Sequence, residues 1–152
     1  MVRNPLVRSS RVRAAILRAF GAQIGRATVL RHFAVHLPWR LRLGDRCWIG
    51  EDAWLHNQTE IVVGADCVIS QQAFLTTGSH DARGSMDLTL SPIVIERGSW
   101  ITSRAIVLQG THVREGVILT PGSVLKGDTT PHTIYRGNPA VPVRERTYGC
   151  EY

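Results

Sequence analysis

The sequence predicts an all-β fold, a parallel β-helix whose short strands wind into a three-sided prism. The first observation is an aliphatic residue at every sixth position. A period of six fits neither an amphipathic helix nor a simple alternating strand. It is typical of a chain in which corners separate short strands and each strand points one such side chain inward. Twelve positions follow the period: Leu43, Ile49, Leu55, Val63, Ile69, Leu75, Ile95, Ile101, Val107, Val113, Leu119 and Leu125.

Two further observations support this fold. The residue two before each aliphatic position is usually small, as at Cys47, Ala53 and Ala105, where a corner narrows the interior. Glycine recurs where turns should lie, and its missing Cβ permits positive φ. These glycines are Gly44, Gly50, Gly64, Gly98, Gly110, Gly116 and Gly122.

Three hexads make one coil of the prism, and the sequence predicts five coils. Their aliphatic corners lie at 24/30/37, 43/49/55, 63/69/75, 95/101/107 and 113/119/125, and the first coil needs one extra residue. Insertions interrupt the repeat at Asn57–Glu60 and at Thr76–Pro92. We expect a single domain with an N-terminal segment 1–22, the repeat over 23–126 and a C-terminal loop and tail over 127–152.

Two segments flank the coils. Residues 10–22 predict a helix with Ser10 as its N-cap and Gly21 as its stop signal. We expect this helix to cap the open edge of the first coil. A sharper hypothesis is peripheral contact with an anionic membrane, because the segment is basic and amphipathic. After Lys126 the frequent Pro and Gly predict an extended tail.

Composition excludes several classes of protein. The 152 residues are 43% apolar and 20% charged, as in a soluble domain. No apolar run approaches the roughly 18 residues of a membrane span. Arginines interrupt the apolar residues near the N-terminus, so we expect no secretory signal. Three cysteines, Cys47, Cys67 and Cys150, exclude a disulfide framework and favour a cytoplasmic protein.

The charge balance is 18 basic against 12 acidic side chains, a net +6. Such a balance invites a nucleic-acid hypothesis. The basic residues are nevertheless spread along the chain, and no basic stretch is interleaved with aromatic residues. We therefore expect no nucleic-acid partner and interpret the excess as a solvated surface that attracts an anionic ligand.

Beyond the period, three segments carry a family resemblance: the hexads, TGSHD at 77–81 and RGNPAVPVRER at 136–146. Together they resemble the hexapeptide-repeat acyltransferases, in particular the colanic-acid-biosynthesis-type acetyltransferases. The resemblance covers residues 17–146. It implies a left-handed β-helix and a cytoplasmic homotrimer with acetyl-CoA sites between subunits. It also implies acetyl transfer to a hydroxyl group, usually of a sugar in polysaccharide biosynthesis.

The same resemblance implies site residues. His80 lies in the longest insertion and corresponds to the general base that deprotonates the acceptor, a role for which a neutral imidazole is suited. Asp81 is a candidate for orienting the ring, although a backbone carbonyl would serve equally. Ser103 is expected to stabilise the thioester oxygen through its N–H or hydroxyl. Asn57 and Trp100 are candidate acceptor contacts.

For coenzyme A, the resemblance implies contacts from the C-terminal coils. Lys126 is expected near the adenosine phosphate, with Arg144 or Arg146 as a second contact. The backbone of Thr120 and Gly122 is expected to line the pantetheine arm. The chain has Pro121 where relatives often have Ala, and proline has no N–H to donate.

Three alternatives stay open. The acceptor could be an antibiotic or another secondary metabolite, and the donor a larger acyl-CoA. A non-catalytic β-helix scaffold would not need the TGSHD segment. A zinc hydratase of the γ-type carbonic anhydrase kind needs two histidines five residues apart, a spacing that this sequence lacks, so we expect no metal.

Overall fold

The protein is a three-sided parallel β-helix, seen here in a computed structural model that describes residues 9–147. Its strands are numbered in chain order and form three faces. Face A contains β1 (Gln23–Ile24), β4 (Leu41–Leu43), β7 (Ile61–Val63), β12 (Ile93–Ile95) and β15 (His112–Val113). Face B contains β2 (Val29–Leu30), β5 (Trp48–Ile49), β8 (Val68–Ile69), β13 (Trp100–Ile101), β16 (Ile118–Leu119), β18 (Thr133–Gly137) and β19 (Ala140–Glu145). Face C contains β3 (Ala34–Val35), β6 (Trp54–His56), β9 (Phe74–Thr76), β14 (Ile106–Val107) and β17 (Val124–Leu125).

Each strand of the three faces except β19 pairs in parallel with the strand one coil away, so every face is a ladder along the prism axis. The three edges are named by the faces they join: A/B, B/C and C/A. All twelve predicted aliphatic positions are buried, with at most 4% exposure. The predicted parallel β-helix is therefore confirmed, and its core is one continuous column of inward side chains.

The first coil corrects one predicted corner. Val35 is buried at 1% exposure, whereas Leu37 is only half-buried. The pairing of Val35 with Leu55 sets which residue of β3 points inward, and Leu37 lies two residues beyond. Leu37 precedes a 3₁₀ turn at Pro38–Arg40, which carries the chain to the next face.

Helix α1 (Ser10–Ala19) covers the open end of the first coil. Its N-cap is Ser9 rather than the predicted Ser10, whose hydroxyl accepts a hydrogen bond from Leu30 N–H at 2.8 Å. The Arg13 guanidinium donates to Leu30 O at 3.0 Å and Arg18 to Ile24 O at 2.8 Å. These bonds satisfy edge groups of β1 and β2 that no further strand pairs. Within residues 9–147 no helix is long and apolar enough to cross a bilayer.

Two segments outside the regular coils form hairpins. The 76–92 insertion contains the antiparallel strands β10 (Gly78–His80) and β11 (Leu88–Leu90). The tail contains β18 and β19 instead of the expected extended loop. Because β18 adds in parallel to β16 and Asp128 bridges to His112, the chain begins a sixth turn beyond the five predicted coils.

Candidate active site

The β10–β11 hairpin leaves the prism at the C/A edge of the third coil and carries His80. At its base, Ser91 N–H donates to Thr77 O at 3.0 Å. Along its side, Gln109 Nε2 donates to Thr89 Oγ1 at 3.2 Å, which ties the hairpin to the fourth coil. The insertion therefore holds an exposed imidazole at a defined edge of the prism.

The hydrogen bond of the His80 ring sets its tautomer. Nδ1 lies 2.8 Å from the carbonyl oxygen of Met86, on the loop that joins the two hairpin strands. A carbonyl oxygen only accepts, so Nδ1 of the neutral ring must carry the proton. Nε2 is then the unprotonated nitrogen, and within residues 9–147 it has no hydrogen-bond partner. This tautomer suits a base that takes a proton through Nε2.

Asp81 does not orient the ring, which corrects one of the two options that the sequence left open. Its carboxylate accepts a hydrogen bond from Arg83 N–H at 3.1 Å. Its backbone O accepts from Met86 N–H at 3.0 Å. Asp81 therefore shapes the loop that places the Met86 carbonyl against His80, and the carboxylate makes no bond to the imidazole within the described residues.

Ser103 lies in a tight turn at the B/C edge of the fourth coil. Ala105 N–H donates back to Thr102 O at 3.2 Å, and Arg104 has φ +59°. Ser103 therefore occupies the first central position of a type II turn, where the N–H does not bond within the turn. In the part of the chain that the structure describes, Ser103 N–H has no acceptor. Its hydroxyl donates to Gln71 Oε1 at 3.2 Å.

An open groove of about 610 Å³ runs along this B/C edge, over the third to fifth coils. Its lining residues are Gln71, Gln72, Ser103, Arg104, Pro121 and Gly122. Arg104 Nε donates to Gln72 Oε1 at 2.7 Å, so a guanidinium is held on the groove wall. A groove with an unpaired N–H and a cation offers a place for an anionic ligand and for an oxygen that gains charge.

The structure separates the predicted site residues into two sets on different edges. His80 and Lys126 lie at the C/A edge, whereas Ser103, Thr120 and Gly122 lie at the B/C edge. Face C lies between these edges, and the seven residues 71–77 cross it through β9. Among the described residues, His80 does not line the groove that contains Ser103, so within one chain the two residues do not share a pocket.

The backbone of Thr120 is already committed within the coil. Its N–H donates to Tyr135 O at 2.9 Å and its O accepts from Ser123 N–H at 3.2 Å. Gly122 N–H donates to Ser103 O at 3.2 Å. Gly122 lines the groove, whereas Thr120 lies at the same edge just before it, and neither has an N–H left for pantetheine.

The three cations expected near coenzyme A differ in their surroundings. Lys126 follows β17 and is exposed, as is Arg144 in β19. The Arg146 guanidinium donates to Gly98 O at 2.7 Å and to Gly116 O at 2.9 Å. Arg146 therefore fastens the tail to the A/B edge, which leaves Lys126 and Arg144 as the exposed candidates.

Two predicted acceptor contacts have different environments. Trp100 is 43% exposed on face B, and its indole N–H donates to Ser70 Oγ at 2.8 Å. Asn57 is fully buried. Its Oδ1 accepts from His36 N–H and Leu37 N–H, and its Nδ2 donates to Leu37 O at 2.6 Å. This arrangement corrects the expected contact of Asn57 with an acceptor, because the side chain instead holds the first turn of the C/A edge.

Rings stack on the outside of face C near the base of the hairpin. The ring centroids of Trp54 and Phe74 lie 4.9 Å apart, and the ring centroid of His56 lies 5.4 Å from that of Trp54. Partial burial and the neighbouring His36 lower the pKa of His56. His56 Nδ1 also lies 3.2 Å from Thr76 Oγ1. The outer surface of face C near the base of the hairpin therefore carries an aromatic cluster that includes the His56 imidazole.

Cys47 and Cys67 are buried in the core, and Cys150 lies outside the described residues. Their thiols donate to Gly64 O at 3.0 Å and Glu96 O at 3.1 Å. The hydrogen bond with Cys47 and burial both raise the pKa of Cys67. Among residues 9–147, no three His, Cys, Asp or Glu side chains form a metal-binding group.

Sequence reasoning missed two residues that shape the site, Met86 and Gln71. Met86 acts through its backbone carbonyl, which side-chain identity does not reveal. Gln71 stacks one coil below Ser103, as Arg104 N–H···O Gln71 at 3.0 Å shows. Corner positions aligned by coil would have indicated Gln71, but the 76–92 insertion interrupts that alignment.

Comparison with known proteins extends these observations. No family model matches the chain. It is 40% identical over 138 residues to the putative colanic acid biosynthesis acetyltransferase WcaF of Escherichia coli, covering 90% of this chain and 76% of the relative. A hexapeptide-repeat acetyltransferase from Vibrio cholerae, solved with acetyl coenzyme A, superposes with TM-score 0.86 at 23% identity over 92% of this chain and 79% of that one. A galactoside acetyltransferase in complex with coenzyme A superposes with TM-score 0.84 at 17% identity, over 95% and 74% of the two chains.

Proposed function

The chain belongs to the family of the colanic acid biosynthesis acetyltransferase WcaF and has the left-handed β-helix of hexapeptide-repeat proteins, and from this premise we propose that it is an acetyl-CoA-dependent O-acetyltransferase. Its acceptor is a hydroxyl group of a sugar or polysaccharide precursor. The relative's name places that protein in colanic acid biosynthesis, and a galactoside acetyltransferase shares the fold. Both support a sugar acceptor for this chain.

One observation carries the proposal: the His80 ring is held with Nε2 unprotonated while Ser103 N–H has no acceptor within residues 9–147. Nε2 takes the proton of the acceptor hydroxyl as its oxygen attacks the thioester carbonyl carbon. The carbonyl oxygen becomes an oxyanion and accepts from Ser103 N–H. When the intermediate collapses, the C–S bond breaks, and the imidazolium returns its proton to the sulfur of coenzyme A.

The active site is shared between neighbouring subunits of a homotrimer. His80 and Ser103 lie on different edges of one chain, so the hairpin of one subunit must meet the B/C groove of the next. Exposed apolar residues on the two faces that flank this edge support such contacts. On face B, Val29 is 41% exposed and Trp100 is 43% exposed, and on face C, Trp54 is 38% exposed.

Coenzyme A lies along the B/C groove with its phosphates near cations. Arg104 on the groove wall, the exposed Arg144 and a neighbour's Lys126 are the groups that can neutralise them. Thr120 and Gly122 contribute shape, since their N–H groups bond within the coil. Trp100, on face B, is close enough in sequence to Ser103 to border the acetyl end.

A pair of variants at adjacent positions tests this function. His80→Ala is expected to lower the rate of acetyl transfer to glycosides by about 10²- to 10⁴-fold, because no other group replaces Nε2. Asp81→Asn keeps the oxygen that accepts from Arg83 N–H and should leave the rate nearly unchanged. The measurement is release of coenzyme A thiol from acetyl-CoA with a panel of glycosides. Undiminished turnover by His80→Ala would overturn the assignment of the base.

A further inference from the structure

The N-terminal end of the prism has an unusual charge. Residues 1–44 contain nine arginines and no aspartate or glutamate, whereas the rest of the chain contains nine basic and all twelve acidic residues. Seven of these arginines lie in the described part, on α1 and the first two coils. Arg26 and Arg42 lie near Asp45 and Glu60, at 3.8 and 3.7 Å. Arg11 and Arg31 are exposed and form no ion pair within residues 9–147.

Large apolar side chains are exposed at the same end. Phe20 and Trp39 are each 59% exposed, and Val12 on α1 is 48% exposed. A Cβ added to Gly21 would lie 2.9 Å from Trp39 Cβ, so Trp39 packs directly beside the turn that follows Phe20. Because Ala14 and Leu17 face the first coil, Val12 lies on the outer side of α1.

We propose that this N-terminal end docks on an anionic lipid bilayer. Arginines attract the negative surface, while aromatic rings lie at the boundary between headgroups and acyl chains. Charge complementarity alone would also suit a nucleic acid. Aromatic rings can also stack on bases, but the exposed aliphatic Val12 gains only from an apolar surface, so the patch that it forms with Phe20 and Trp39 favours a bilayer.

Helix α1 and the first coil can dock on a flat surface without any unfolding of the prism. Arg13 and Arg18 are occupied in bonding edge carbonyls, which fixes α1 on the first coil. Arg11 remains exposed beside a groove of about 570 Å³ between α1 and the first coil, with room for a phosphate headgroup. If the homotrimer of the proposed function forms, its rotation axis carries three such caps to one side, and their contacts act together.

The docking is tested by flotation of the full-length protein with vesicles. One set contains equal parts of phosphatidylcholine and phosphatidylglycerol, and the other phosphatidylcholine alone. The protein should float with the anionic set only, and added salt should release it. Arg11→Glu combined with Arg31→Glu should weaken binding by at least about 25-fold, about fivefold for each arginine. Arg136→Glu, an exposed change at the other end, should weaken it far less.

The apolar contribution has its own variants. Phe20→Ser with Trp39→Ser should lower binding to anionic vesicles by about tenfold or more, whereas the exposed Val141→Ser should not. Brominated acyl chains should quench tryptophan emission of the wild type but not of Trp39→Phe. Thermal melting confirms that each variant is folded.

Several results would overturn docking: no flotation, equal flotation with neutral vesicles, or equal loss in Arg136→Glu and the N-terminal variants. Binding to a polyanion such as heparin without flotation would assign the end to a polyanion instead. Vesicle binding needs no turnover, so docking can fail while acetyl transfer to soluble glycosides persists. The reverse result would leave docking standing and overturn the proposed function.

Discussion

At Ser103 the proposed catalytic group is the backbone N–H rather than the hydroxyl. Ser103→Ala should therefore retain most of the acetyl-transfer rate, whereas Ser103→Pro, which has no N–H, should lose about 10²- to 10³-fold. Proline suits the first central position of a type II turn, so the fold should be kept. The chain already has Pro121 followed by Gly122 at φ +70° at the corresponding corner of the next coil. Steady-state rates and thermal melting of the two variants provide the measurement.

A lower rate in Ser103→Ala than in Ser103→Pro would contradict the assignment of the backbone N–H as the donor. If Ser103→Ala were inactive and Ser103→Pro active, the hydroxyl would be the donor. That hydroxyl bonds to Gln71 Oε1, so Gln71→Ala serves as a further control for a change in turn geometry.

The role of Asn57 could not be predicted from the sequence. Its position in an insertion suggested an exposed side chain, and its chemistry suggested a sugar contact. The structure instead buries it against the backbone of His36 and Leu37, twenty-one and twenty residues earlier. A polar side chain in an insertion can contact a substrate only if it is not already bonded to the backbone of a neighbouring coil. Such bonds become visible only when the coils are stacked in the structure.

At the scale of the coil, some glycines provide a positive φ and others allow two coils to approach closely. Gly98 has φ +68° and no atom within 4 Å of an added Cβ. Gly44, expected from the sequence to have positive φ as well, does not; a Cβ there would lie 2.6 Å from Ala65 N. In its corner Arg46 has the positive φ, 54°. The same correction applies to Gly50 and Gly64, whose added Cβ atoms would meet the next coil at 2.6 and 2.7 Å.

Substitution by Ala and by Asn should distinguish a glycine required for positive φ from one required for close approach of the coils. Gly98→Ala should cost about 1 kcal/mol and Gly98→Asn less, since Asn tolerates positive φ. Gly44→Ala and Gly44→Asn should both cost about 1–3 kcal/mol, because any Cβ presses into the adjoining coil. Denaturant unfolding measures the four differences. Rescue by Asn at position 44 would contradict the close-approach explanation.

The Glu96 carboxylate links the fourth coil to the fifth at face A and gives the stability a pH dependence. Burial would raise its pKa, but bonds from Glu115 N–H at 2.9 Å and His112 Nε2 at 2.7 Å, with Arg114 nearby, lower the pKa below that of an ordinary glutamate. A lowered pKa in the folded state stabilises the protein above the unfolded value of about 4.3. That stability is lost as the pH falls through the folded pKa.

Glu96→Gln should therefore be less stable than the wild type near neutral pH, and the difference should shrink as the pH falls from about 4.3 through the lower pKa of the folded state. The difference should stay below about 1 kcal/mol, because the partners are about one third exposed. Thermal melting of both proteins across this pH range measures it. A difference that does not shrink with acid would contradict the carboxylate's role.

The regular coils were predictable from the sequence and the two hairpins were not. An aliphatic residue every sixth position reports burial directly, and all twelve such positions are buried. Strands β10 and β11 instead depend on pairing with each other, outside the repeat. Strand β18 forms because β16 leaves an unpaired edge, and Pro142 is accepted in β19 at the outside of the sheet. Local pattern does not report such pairing partners.

At the scale of the whole molecule, local sequence pattern also fails to show which site residues lie together. Motifs indicated His80 and Ser103 separately, but only the assembled prism shows that they lie on different edges. Motif order along a chain carries no such information, because residues 23 positions apart can share an edge or be separated by a face. We therefore propose that one subunit supplies the base and its neighbour the oxyanion donor.

Subunit complementation tests whether His80 and Ser103 of different chains form one site. His80→Ala and Ser103→Pro chains, each inactive alone, are co-expressed with different affinity tags and purified through both tags. In every mixed trimer one site in three combines an intact His80 with an intact Ser103, so acetyl transfer should recover to about one third of the wild-type rate. If the purified mixed assemblies remain as inactive as their parents, the two residues do not meet across a subunit boundary.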